Sequence, residues 1–138
     1  GGEGMPEGQD KGYFVKPTVF ADVTSEMTVF REEIFGPVVT VHTFGSLAEA
    51  TEMANATEYG LAGSIWTRDV VVGKALAETI DTGIVWINTW LHRDLRTPFG
   101  GVKHSGVGRE GGQWSLGYAH GFVGRSRGRR NHCFAHYL

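Results

Sequence analysis

Two groups of side chains in this sequence could bind a charged or hydroxyl-rich small molecule. The first lies in R-E-E-I-F-G-P-V, residues 31–38. Glu32 and Glu33 form an acidic pair, followed by Phe35 and a rigid exit through Gly36 and Pro37. A carboxylate in such a turn offers two acceptor oxygens, enough to hold two neighbouring hydroxyls. Gly36 tolerates the backbone restriction that Pro37 imposes on the residue before it. The plainer alternative is a surface acid beside a core phenylalanine. The second group lies in N-T-W-L-H-R-D-L-R-T-P, residues 88–98, where Arg93 and Arg96 flank Asp94. Guanidinium forks bind carboxylates with two parallel hydrogen bonds. A carboxylate on a ligand is one partner for them, and Asp94 at the surface is the other.

A glycine-rich stretch follows over residues 97–112, T-P-F-G-G-V-K-H-S-G-V-G-R-E-G-G. Residues 106–111 spell G-x-G-x-x-G. A dinucleotide fingerprint needs a strand running into it and an acid downstream for a ribose; neither is present, so this reading is rejected. The single cysteine, Cys133, excludes an internal disulfide and fits a reducing compartment. His132, Cys133 and His136 lack a fourth ligand at a recognised zinc spacing, so no metal site is expected. The run R-S-R-G-R-R at 125–130 could meet nucleic acid. A solvated tail is the preferred reading, and no nucleic acid is expected as a partner.

The elements that must position these groups are legible in outline. Residues 15–20 read as an extended segment, with Pro17 favouring an edge or a strand start. A helical turn fits within 24–34, and residues 38–44 read as a strand. Ser46 and Glu49 form a capping box for a helix reaching Thr57, with Leu47, Ala50 and Ala54 on one face. Tyr59, Gly60 and Leu61 read as a turn into a second strand at 64–67. Asp69 caps a second helix over 70–81, whose stripe Val72, Leu76 and Ile80 should face the core. Residues 84–88, I-V-W-I-N, are apolar on both faces and predict a central strand. Strands alternating with helices predict an α/β fold, a partial and mostly parallel sheet with helical crossovers.

The 138 residues are 41% hydrophobic, ordinary for a globular domain, and no apolar run approaches the roughly 20 residues of a membrane span. The polar, glycine-rich start is not a signal peptide, and the chain is expected to begin inside a longer protein. From Gly117 onward there are four arginines and no Asp or Glu. The expected division is therefore a body over 1–116 and a basic, disordered tail over 117–138.

Taken in order, six segments resemble the aldehyde dehydrogenase superfamily. They are G-Y-F with P-T-V at 12–19, E-E-I-F-G-P at 32–37, Y-G-L-A at 59–62, G-I-V-W-I-N at 83–88, P-F-G-G-V-K at 98–103 and S-G-V-G-R-E at 105–110. The resemblance covers about residues 1–116. It implies the C-terminal half of the family's catalytic domain. It implies that Glu33 holds the nicotinamide ribose of NAD or NADP, with NAD preferred, and that Phe35 packs beside the nicotinamide ring. Phe99 would help form the wall of the aldehyde tunnel. R-D-L-R-T-P-F-G-G is similar to the 2-hydroxymuconic and 2-aminomuconic semialdehyde dehydrogenases, whose substrates carry a carboxylate. That likeness assigns Arg93, Arg96, Phe99 and Trp90 to the substrate.

The family's cysteine nucleophile and glutamate base lie upstream of the G-Y-F segment, so the resemblance implies that neither is among these 138 residues. Cys133 lies at the opposite end and is not a substitute. The expected function is a fragment of an NAD(P)-dependent semialdehyde dehydrogenase, inactive alone, from a cytoplasmic homo-oligomer acting on a small-molecule aldehyde. The alternative is a non-catalytic truncated product that at most associates with full-length subunits.

Overall fold

Ser46 starts a helix as its side chain requires. In the computed structural model, which describes residues 1–119 and 134–136 and the side chains of 1–116, the Ser46 hydroxyl accepts from the Glu49 N–H at 3.2 Å. The Glu49 carboxylate accepts from the Gly45 N–H at 2.7 Å, one residue further back than a capping box places it. The helix, α2 (Leu47–Asn55), ends two residues before the expected Thr57. Its half-buried side includes Ala50 and Met53, whereas Leu47 and Ala54 are exposed.

The contacts divide the chain into two compact units, residues 1–57 and 58–138. In the first, β1 (Thr18–Phe20) pairs in parallel with β2 (Val38–Thr40), Thr18 opposite Val38 and Phe20 opposite Thr40. The expected strand over 38–44 is thus cut to three residues, because its partner ends at Phe20. A single turn, α1 (Thr28–Arg31), lies between them.

The second unit is built round β5 (Ile84–Ile87), all four of whose residues are buried. It is the middle strand of a parallel sheet, between β4 (Ala62–Ile65) and β7 (Phe134–His136). β4 begins two residues earlier than predicted, and Asn88 takes over beyond its end. The Asn88 carboxamide accepts from the Thr67 N–H and donates to the Thr67 carbonyl, both at 2.8 Å, as a strand neighbour would. The predicted turn at Tyr59 and Gly60 is instead a short strand, β3 (Tyr59–Gly60), antiparallel to β6 (Val102–Lys103). α4 (Gly112–Ala119) follows the glycine-rich loop. Of the predicted tail, only the backbone of β7 and the end of α4 are described; Cys133 and residues 125–130 lie outside the described residues.

α3 (Val70–Ala77) is capped by the Asp69 carboxylate, which accepts from the N–H groups of Val71 and Val72, both at 3.0 Å. It stops at Ala77, short of the expected Asp81. The predicted core stripe is corrected as well. The buried residues are Gly73 and Ala77, while Val72 is exposed and Leu76 and Ile80 are half-buried. The reason is close approach. A Cβ at Gly73 would lie 2.8 Å from Thr67 Cγ2 and 3.4 Å from Ile87 Cγ2, so only small residues fit this face. Ala77, Val85 and Ile87 form the core, with Ile65 and Ile80 packed against it.

Candidate functional site

In the first unit, the acidic turn leaves α1 at Glu32, whose N–H bonds to the Thr28 carbonyl at 2.9 Å. Glu33 follows outside any helix or strand and is exposed, and its carboxylate has no hydrogen bond or ion pair among the described residues. The nearest cation in sequence is already engaged: Arg31 pairs with Glu26 at 3.1 Å and donates to the Ser25 carbonyl. Phe35 has a left-handed backbone, φ 55°, and its side chain is 90% exposed. It is not packed into the described core of this chain. An unpaired carboxylate beside an outward aromatic ring suits a ligand with vicinal hydroxyls and a flat ring.

In the second unit, the loop after β5 is held at several points. Asn88 and Leu91 both have left-handed backbones, φ 55° and 53°, a conformation non-glycine residues adopt uncommonly. The buried Trp86 reaches out of the sheet and donates its indole N–H to the His92 carbonyl at 2.9 Å. Its ring meets Trp90 edge-on, centroids 5.3 Å apart. Two residues beyond the loop's middle, Asp94 accepts from both the backbone N–H and the guanidinium of Arg96. That bonding holds the Asp94 carboxyl down to about 2 and raises Arg96.

Arg93 is placed differently. Its guanidinium lies over the Phe99 ring, 4.5 Å from the centroid, and 3.5 Å from the Glu110 carboxylate. Phe99 and Glu110 are brought together by a two-way backbone bridge of 2.8 and 2.7 Å. The Arg109 guanidinium donates to the carbonyls of Gly101 and Gly108, closing the glycine-rich loop on itself. Carbonyls facing a guanidinium are the reverse polarity of a phosphate cradle, in keeping with the rejected G-x-G-x-x-G. A cleft of about 420 Å³ opens here, lined by Phe99, Gly100, Ser105, Arg109 and Glu110 among others.

Of the residues singled out from sequence, the structure brings Arg93 and Phe99 into contact. Trp90 packs on Trp86, and Arg96 is occupied by Asp94. Glu33 and Phe35 belong to the other unit and form a separate pair. Sequence reasoning missed Glu110 as a partner of Arg93 and Trp86 as an anchor of the loop. The indole N–H of an otherwise apolar strand was the available signal, since a buried tryptophan finds an acceptor for it.

The chain matches the model of the aldehyde dehydrogenase family over residues 1–120. It is 48% identical over 120 residues to a 2-aminomuconic 6-semialdehyde dehydrogenase of a Pseudomonas species, covering 85% of this chain and 24% of that protein. It is 43% identical over 115 residues to the chloroplastic betaine aldehyde dehydrogenase of Beta vulgaris, covering 83% and 23%. Among solved structures, an aldehyde dehydrogenase of Mycobacterium tuberculosis complexed with NAD+ superposes with a TM-score of 0.78 at 48% identity, covering 83% of this chain and 24% of that one. The NAD+ complex of the Bacillus cereus enzyme gives 0.74 at 51% identity, covering 78% and 22%. The chain spans about a quarter of the length of these relatives.

Proposed function

Because the chain belongs to the aldehyde dehydrogenase family, we propose that it forms part of an NAD-dependent enzyme that oxidises a carboxylate-bearing semialdehyde to the acid. Within that enzyme it supplies a cofactor-positioning turn and one wall of the substrate site. NAD is the cofactor of this reading, and NAD+ complexes among its structural relatives support NAD as such. The enzyme is a homo-oligomer of the cytoplasm, a reading that the family resemblance supports. Among the described residues no helix is long and apolar enough to cross a membrane.

Glu33, Phe35 and Phe99 take the parts that the family resemblance implies, and the placement of Arg93 supports its own. The Glu33 carboxylate would accept from the two hydroxyls of the nicotinamide ribose, and the exposed Phe35 ring would pack beside the nicotinamide. Bound there, NAD would supply the hydride acceptor for the oxidation of the aldehyde. Phe99 forms an apolar wall that orients the substrate chain and excludes water from it. Arg93 receives the distal carboxylate in a bidentate grip, and that carboxylate takes the place of Glu110. Arg96 is the lesser candidate, since Asp94 already holds it.

The observation that carries this reading is Arg93 stacked on Phe99, itself a lining residue of the cleft, with only a loose 3.5 Å ion pair to Glu110. The test compares Arg93→Ala and Arg96→Ala in the complete enzyme, with a carboxylated semialdehyde and a neutral aldehyde of equal length. Arg93→Ala should lower kcat/KM for the carboxylated substrate about five- to thirtyfold more than for the neutral one, about 1–2 kcal/mol for a partly exposed charge-assisted contact. Equal losses on both would end the carboxylate reading.

A further inference from the structure

We propose that Trp86 is a positioning residue for the substrate carboxylate, acting through one hydrogen bond to the backbone beside Arg93. The inference rests on the carboxylate reading of Arg93 and extends it inward to the sheet. Trp86 is fully buried in β5, all four of whose residues are buried. Its ring is fixed by that packing, and its indole N–H is the one donor it has. That donor goes to the His92 carbonyl, 2.9 Å away, on the residue directly before Arg93.

The bond matters because of what the loop is otherwise made of. Between Asn88 and His92 the backbone twice adopts a left-handed conformation without glycine, at Asn88 and Leu91. The Asn88 side chain fastens the first of these to Thr67. Residues 91–96 are exposed, so little packing fixes the second. The Trp86–His92 bond ties the backbone at that point to a rigid strand, and the Trp90 ring resting edge-on against Trp86 adds a second hold. Asp94 and Arg96 close the far side as a local turn. Arg93 thus stands between two fastened points, with its guanidinium over Phe99. Removing the indole donor leaves the Leu91 turn free to relax, and Arg93 loses its register over the ring.

The test uses the complete enzyme with Trp86→Phe, which keeps an aromatic ring and deletes the N–H. A second variant carries β-(3-benzothienyl)alanine at position 86, which keeps the shape of tryptophan and loses only the donor. KM for the carboxylated semialdehyde should rise about three- to tenfold in both, the worth of one neutral hydrogen bond. Its kcat should change less than twofold, and both constants for a neutral aldehyde of equal length should stay within about twofold of wild type. Equal losses on the two substrates, or no change in the isosteric variant, would overturn the proposal. Arg93→Ala run alongside separates the two readings. If Arg93→Ala discriminates between the substrates and the isostere does not, only the role of Trp86 fails. If Arg93→Ala does not discriminate, the carboxylate reading fails and this inference falls with it.

Discussion

The guanidinium carbon of Arg93 lies 4.5 Å from the centroid of the Phe99 ring, and the same guanidinium is 3.5 Å from the Glu110 carboxylate. Phe99 is thus a platform for Arg93, beside its proposed part as a wall of the substrate site. Phe99→Leu keeps an apolar wall and removes the π face. In the complete enzyme the preference for a carboxylated over a neutral substrate should fall by about 0.5–1 kcal/mol, two- to fivefold in the ratio of kcat/KM values. An unchanged ratio would mean that the stacking has no part in placing Arg93.

The Glu33 carboxylate has no hydrogen bond or ion pair among the described residues, and that separates binding from folding. Glu33→Gln in the complete enzyme should weaken NAD by about 1.5–3 kcal/mol, seen as a rise in its KM, since the hydroxyls lose a charged acceptor. The unfolding midpoint should not move, because the carboxylate has no hydrogen bond or ion pair to lose among the described residues. Wild-type cofactor kinetics would remove Glu33 from the ribose site.

What could be read in the sequence was whatever depends on local pattern. β5 was legible because four consecutive apolar residues suit only a strand covered on both faces. The helix starts at Ser46 and Asp69 were legible because a cap is a bond to residues two or three further on. The buried face of α3 was not. Counting hydrophobicity favours Val72 and Leu76, whereas the distance to Thr67 and Ile87 selects Gly73 and Ala77. β3 was missed because two residues carry no period, and its partner β6 lies far along the chain. In the site, the residue types were legible and their pairing was not. The contact of Arg93 with Glu110 depends on the bridge between Phe99 and Glu110, and nothing near Arg93 announces it.

The close approach at Gly73 sets two effects against each other. Alanine in a helix interior is better than glycine by about 1 kcal/mol. Overpacking against a stiff side chain costs about 1–3 kcal/mol. Gly73→Ala should therefore lower the thermal midpoint of the complete enzyme. Thr67→Ser removes the Cγ2 methyl and keeps the hydroxyl that accepts from the Asp69 N–H. The double variant should recover most of the loss. Simple additivity of the two changes would refute the packing account.

Asp94 should titrate abnormally. Its carboxyl is held from 3.8 down to about 2, chiefly by the side-chain hydrogen bond from Arg96 and next by the Arg96 backbone N–H. A depressed carboxylate contributes its part to the folded loop fully above its ordinary value and loses it as pH falls through about 2. Carbon-13 NMR of the selectively labelled Asp94 carboxyl in the complete enzyme should show a midpoint near 2. In Arg96→Ala the midpoint should move up toward 3.8. A midpoint near 3.8 in the unaltered enzyme would show that the turn between Asp94 and Arg96 does not persist in solution.

The 138-residue chain alone should associate with itself at micromolar concentration. Tyr13 is 104% exposed, Phe35 90% and Val107 85%, while the buried apolar set is Ala77, Ile84, Val85, Trp86 and Ile87. Covering two aromatic side chains of about 150–250 Å² each is worth on the order of 10 kcal/mol before the costs of association, at roughly 25 cal/mol per Å². Those costs are about 4–15 kcal/mol, so a patch involving more than these two residues tips the balance. Strand edges act in the same direction. β1 and β2 pair only with each other among the described residues, and each leaves one row of backbone donors and acceptors open. Sedimentation velocity at several loading concentrations, with amide NMR dispersion at the lowest, decides the matter. The expected result is a concentration-dependent rise in sedimentation coefficient with broad, poorly dispersed amide signals. A concentration-independent monomer with well-dispersed signals would show that the chain buries enough of its own surface to stand as an autonomous domain.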